Sequence, residues 1–136
     1  MTYAVAAALQ VAVFQRLAAD AALGALVGAH VYDALPPGAA PALYVALGPE
    51  QARDASDATD GGALHEIEVA VVGQAEGFLS LKEAAAAVCD ALEGADLALT
   101  RGRLVLLTFG RARARVAGAD RRIDLTFRAR VEDAAA

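Results

Sequence analysis

The chain has 136 residues, 12 basic and 17 acidic side chains, a formal net charge of -5 and a single cysteine, Cys89. That length suits one domain with a real core rather than two, and one cysteine excludes an internal disulfide. Hydrophobic residues make up 57% of the chain, much of it alanine, and Gln10, Gln15, Arg16 and Asp20 interrupt the first apolar run. The run therefore falls short of the roughly 20 residues a membrane span needs. The start Met1-Thr2-Tyr3-Ala4 has no Lys/Arg segment before the apolar run, which predicts no secretion signal and a protein that stays in the cytoplasm producing it.

In chain order, Thr2 is a plausible helix cap, and Val5, Leu9, Val13 (or Ala12) and Leu17 recur at helical spacing, predicting a first helix over 3–19. Residues 20–28 can add a short helical turn ended by Gly28, and His30-Val31-Tyr32-Asp33 resembles a short strand. Pro36, Pro37 and Pro41 force an irregular connection. Leu43–Leu47 is a strand-like run closed by Gly48-Pro49. Residues 49–62 are polar, acidic and glycine-ended, predicting a long exposed loop with a task of its own. Ile67, Val69 and Val71 then alternate with Glu66, Glu68 and Ala70 as in a half-buried strand. A second helix spans about 77–93, with Phe78, Leu81, Ala85, Val88 and Leu92 on one side and Gly94 as the stop. The last third reads as a β-hairpin: Arg103–Val116, a turn at 117–120, and Arg122–Val131, where Ile123, Leu125, Phe127, Ala129 and Val131 share a face. The predicted fold is α+β, a mainly antiparallel sheet of about four to five strands with two helices on one face, in the order α-β-β-loop-β-α-β-β.

Charge is divided along the chain. Residues 1–100 carry three basic side chains against thirteen acidic ones, whereas 101–136 carry nine arginines against four acids. Such a division predicts complementary surfaces, within the fold or between copies of it. Arg111, Arg113 and Arg115 fall on one face of the first hairpin strand, and Arg122, Arg128 and Arg130 on the polar face of the second. This arginine band could neutralise phosphates. It could equally pair with Glu66, Glu68 and Asp124 across strands or with a neighbouring subunit. The acidity of the whole chain and the lack of aromatic residues between the arginines favour pairing, since single-strand binders use such aromatics as stacking platforms.

Signals for chemistry are weak. Cys89 lies beside the apolar stripe of the second helix, where a thiol is usually a small core side chain; pairing with His65 would still lack an orienting group and an oxyanion site. Asp54, Asp57 and Asp60 recur every three residues, unlike the ligand pattern of a calcium loop. His30, His65 and Cys89 have no zinc spacing, and Gly61-Gly62 lacks the context of a phosphate cradle. No catalytic residue, metal ligand or cofactor site is predicted.

The segment 41–48 (PALYVALG), the polar stretch to Gly62, the strand around His65–Val72, Gly77 opening an alanine-rich helix, and Arg103-Leu104-Val105 before the hairpin together resemble the tail completion or tail terminator proteins of long-tailed phages. The likeness covers nearly the whole chain and is greatest to the version carried by bacterial gene transfer agents. It implies a homohexameric ring that caps the tail tube protein, ends its polymerisation and meets a head-completion stopper protein. Double-stranded DNA would pass through the lumen without specific binding. The interface residues expected under this reading are Glu50, Arg53, Asp54, Asp57, Asp60, Glu66, Glu68, Arg111, Arg113, Arg115, Arg122, Arg128 and Arg130. The alternatives are a neighbouring head-tail completion or minor tail protein, and a small nucleic-acid-binding protein using the arginine band.

Overall fold

Alanine and leucine, the best helix formers, fill the first element, α1 (Ala6–Ala18), whose buried face is Ala6, Ala8, Leu9, Ala12, Val13 and Leu17. The computed structural model describes residues 3–34, 38–55, 62–74 and 77–133. Thr2 lies outside them, and Val5 occupies the cap position without a side-chain cap bond. The chain then bends by 71° into α2 (Ala21–Val27). Here Asp20 is the cap, its carboxylate accepting from the Leu23 N–H at 2.9 Å, and Gly28 ends the helix at φ +62°. What reads in sequence as an optional helical turn is thus a third helix. No single helix among the described residues is long and apolar enough to cross a membrane.

Five strands follow: β1 (Val31–Tyr32), β2 (Leu43–Asp54), β3 (Gly62–Gly73) and, after helix α3 (Leu79–Leu92), β4 (Arg103–Ala117) and β5 (Asp120–Glu132). They form one sheet in the order β1-β2-β3-β5-β4, antiparallel except for the β1–β2 pair. The α+β class and the mainly antiparallel sheet agree with the sequence reading. One sheet face packs on the helices. Its core includes Val45, Val69, Val71, Leu107, Ile123, Leu125, Phe127, Ala129 and Val131 against Leu9, Val13, Leu17, Leu81, Val88 and Leu92. A smaller cluster on the open face joins Tyr44, Ala70 and Val72 to Tyr32, Ala40 and Ala46.

One element departs from expectation. Gly48-Pro49 does not end the strand, because β2 continues to Asp54 and pairs with β3 along its whole length. Leu47 faces Val69 and Glu50 faces Ile67, so three steps on β2 match two on β3. This bulge absorbs Pro49, which has no N–H for the ladder. The predicted exposed loop over 49–62 is therefore corrected: residues 49–54 and 62 are strand, and 56–61 lie outside the described residues. The extra residue also exchanges the faces of everything after it. Glu50 and Ala52 pair in line with Ile67 and His65, so the bulge brings Glu50 to the helix-covered side.

The outer edge of β4 is partly closed. The Phe109 N–H donates to Glu93 Oε2 at 2.7 Å, and the Gly94 N–H donates to the Leu107 carbonyl at 2.8 Å. Both partners come from the turn after α3, which Gly94 makes at φ +67°. Beyond a further register shift between Phe109 and Arg111, the strand leaves this turn behind.

Candidate assembly interface

The antiparallel register assembles the arginine band predicted from sequence. Arg111, Arg113 and Arg115 on β4 stand opposite Thr126, Asp124 and Arg122 on β5, while Thr108 and Leu106 stand opposite Arg128 and Arg130. On the other side of β5, Arg128 faces Glu66, Thr126 faces Glu68 and Arg130 faces Leu64. Alternation then puts all six arginines on the open face of the sheet, opposite the buried Ile123, Leu125, Phe127 and Ala129.

Asp124 is the centre of this face. Its carboxylate accepts from Arg122 Nε at 2.6 Å and from Arg115 Nε at 3.1 Å. Burial pushes its pKa up, but the bonds and positive charges of Arg122 and Arg115 outweigh burial and hold it below the ordinary value. Glu68 is pushed the other way, by burial and by the charge of and a hydrogen bond with Asp124, against the pull of Arg122 and Arg111. Arg130 donates to the Ala55 carbonyl at 3.0 Å. Arg113 and Arg128 are exposed and form no ion pair among the described residues. The band is thus satisfied within the chain around Asp124 and open at Arg111, Arg113 and Arg128.

The predicted acids separate. Glu66 and Glu68 join the arginine face, and Arg53 lies beside Leu64 and Glu66 at the far side of β3. Asp54 ends β2. Asp57 and Asp60 lie outside the described residues. Glu50 turns inward, where Oε2 lies 2.9 Å from Nδ1 of the fully buried His65 and Oε1 accepts from the Tyr3 hydroxyl. A carboxylate only accepts, so Nδ1 carries the hydrogen. The Tyr3 ring stacks on the imidazole at 5.8 Å, and its bond to Glu50 raises the phenol pKa. His65 Nε2 is buried and lacks a partner among the described residues. Without the bulge, alternation would have placed Glu50 in solvent, so this tie between α1's entry and the sheet was not readable from the chain.

A groove on the exposed flank of α1 is also absent from the sequence reading. Its volume is about 600 Å³, and Tyr3, Ala7, Gln10, Val11, Phe14, Asp33 and Glu50 are among its lining residues. Gln10 donates to the Asp33 carboxylate at its rim. Cys89 is far from a nucleophile's setting. Burial first, then the charges of Asp90 and Glu93, raise its pKa, and a thiol held protonated is a poor attacking group. No cluster of three metal-ligating side chains occurs among the described residues.

This is a small sheet with helices on one face and a charged, partly unpaired surface on the other, an arrangement suited to contact with other subunits. The family model for tail completion protein gp17 matches residues 11–132, and the chain belongs to that family. It is also similar to a chain in the solved structure of a native gene transfer agent particle virion. The two share 62% identity with a TM-score of 0.91, over 96% of this chain and 99% of that one. No curated protein matches the sequence.

Proposed function

We propose that the protein is the tail terminator of a phage-like particle of the gene transfer agent kind. In this reading six copies close into a ring on the last ring of the tail tube protein and stop its growth. The other side of the ring is offered to the head-completion stopper, and double-stranded DNA passes through the lumen. The role is structural and not enzymatic. The ring assembles in the cytoplasm and leaves with the particle at the head-proximal end of the tail. The observation that carries this reading is the 62% identity to a virion chain over almost all of both chains. The split of charge along the chain supports it, since a head-to-tail contact joins two different surfaces and closes into a ring when the rotation allows.

The test is Arg113→Glu with Arg128→Glu, two exposed arginines of the band that form no ion pair among the described residues. The expected result is a folded chain that yields unjoined heads and tails, or tails of irregular length, by electron microscopy. Normal particles together with loss of DNA retention would instead support a nucleic-acid role. Co-purification with a portal-side protein and not with the tail tube protein would favour a neighbouring completion protein.

A further inference from the structure

We propose that the groove beside α1 receives the distal end of the β4–β5 hairpin of a second copy of this chain. The proposal rests on the ring reading above and assigns its two surfaces. The groove combines apolar lining from Ala7, Val11 and Phe14 with carboxylates at Asp33 and Glu50. Val11 is 50% exposed in the isolated subunit, and Tyr3 59%. An open apolar hollow on a helix flank, with the acid Asp33 at its rim, calls for an apolar knob with a cation beside it.

The hairpin end has that character. Ala112 and Ala114 stand opposite Leu125 and Ile123, so they lie on the helix side of the sheet, yet both are exposed, whereas Leu104 and Leu107 earlier in β4 are buried in the core. Val116, in the same row, is 61% exposed. Between them Arg111, Arg113 and Arg115 project from the opposite face. The strand beyond Phe109 therefore offers small apolar groups on one side and arginines on the other, with no helix over it. With the free edge of β4 entering the groove, the apolar row lies against its wall and the long side chain of Arg113, which has no ion pair among the described residues, reaches round the strand edge to the Asp33 rim.

Position in the sheet fixes the type of contact. The groove adjoins the β1–β2 end and the hairpin is at the β4 end. Four strand spacings separate them, roughly 19 Å. A contact between two different surfaces at opposite edges that is made once per pair of copies is head-to-tail, and it propagates from copy to copy until it closes.

Cross-linking tests this. In a Cys89→Ala background, Val11→Cys and Val116→Cys on separate chains should give mixed disulfide dimers on mild oxidation, in the purified chain or in assembled particles. Both on one chain should give a ladder ending at the mass of the closed ring by mass spectrometry. Asp33→Arg or Arg113→Glu alone should weaken association at least tenfold, and the two combined should restore most of it. Oligomers of ring mass without the Val11–Val116 link, or with Val11 joined to Val11, would overturn the assigned surfaces and leave the ring standing. Absence of any oligomer, free or in particles, would remove the ring reading as well.

Discussion

The two faces of the sheet obey different rules. The helix-covered face is filled by Val69, Val71, Ile123, Leu125, Phe127 and Ala129, each nearly inaccessible to water, and every change there is felt through packing. The open face sets Arg115, Arg122, Asp124 and Glu68 beside one another with part of each in solvent, where screening makes any single pair worth little. Stability therefore resides on the covered face, and under the proposed assembly role selectivity for neighbours falls to the open one. The comparison makes specific demands on substitutions.

The largest effect should come from replacing residues 49–62 with an Asn-Gly turn between Gly48 and Ala63. As a free loop this segment would be dispensable. Its residues 49–54 are instead the second half of β2, which pairs with Ala63–Ile67 and supplies Glu50 to His65, so the shortened chain should lose its cooperative melting transition in calorimetry. A variant melting like the parent would mean that the outer half of β2 contributes nothing. Phe127→Ala comes next. Its ring is fully buried and meets Phe109 edge to face at 5.9 Å, and removing it should cost about 3–5 kcal/mol by urea denaturation. A loss below 1 kcal/mol would show that the face is loosely packed.

Glu50→Ala tests the point where a charged residue crosses to the buried side. It strands His65 with neither ring nitrogen partnered, for about 1–3 kcal/mol, whereas Glu50→Gln should retain most of the stability because an amide oxygen can still accept from Nδ1. Equal losses in the two variants would count against the hydrogen bond. On the open face, Asp124→Asn should cost only about 1 kcal/mol at neutral pH, since solvent reaches the pairs and relief of Glu68 offsets part of the loss. An acid that titrates lower folded than unfolded adds stability above its unfolded value, here 3.8, and that contribution disappears as pH falls through the folded value. The gap between parent and variant should accordingly narrow below about pH 4; a gap independent of pH would exclude the charge as its cause. The smallest effect belongs to Cys89→Ala, a half-buried thiol beside the core, at about 1 kcal/mol or less. Particle yield should be unchanged, and a folded but inactive variant would point to chemistry at the thiol.

The same contrast explains what was legible in the chain. Burial selects for apolar side chains at fixed periods, so Leu9, Val13 and Leu17 in α1 and Ile123 to Val131 in β5 declared their faces without any structure. The arginine alternation placed the band on the correct strands. It could not say which arginines Asp124 would hold, because that depends on lateral register between β4 and β5. Gly48-Pro49 misled for a physical reason: the pair breaks strands in general, and a bulge in β2 that absorbs it is a tertiary solution, held in place by pairing with β3 on either side. The inward turn of Glu50, its contact with Tyr3 and the groove on α1 all follow from that bulge or from packing between distant segments, and none has a local signature.

The closure of β4 by Glu93 and Gly94 has a consequence for how copies behave before they meet their proper neighbours. An exposed strand edge is a template on which identical chains can zip into fibres. Here the backbone groups of Leu107 and Phe109 are already occupied from the turn after α3, so an incoming strand cannot extend along the whole of β4. The arginine-bearing end beyond Phe109 stays open among the described residues, and two such ends repel each other. At the high local concentrations of particle production, this pair of bonds acts as a guard against runaway aggregation, and loss of its Phe109 member in Glu93→Ala should first be visible as turbidity in concentrated solution rather than as a lower melting temperature.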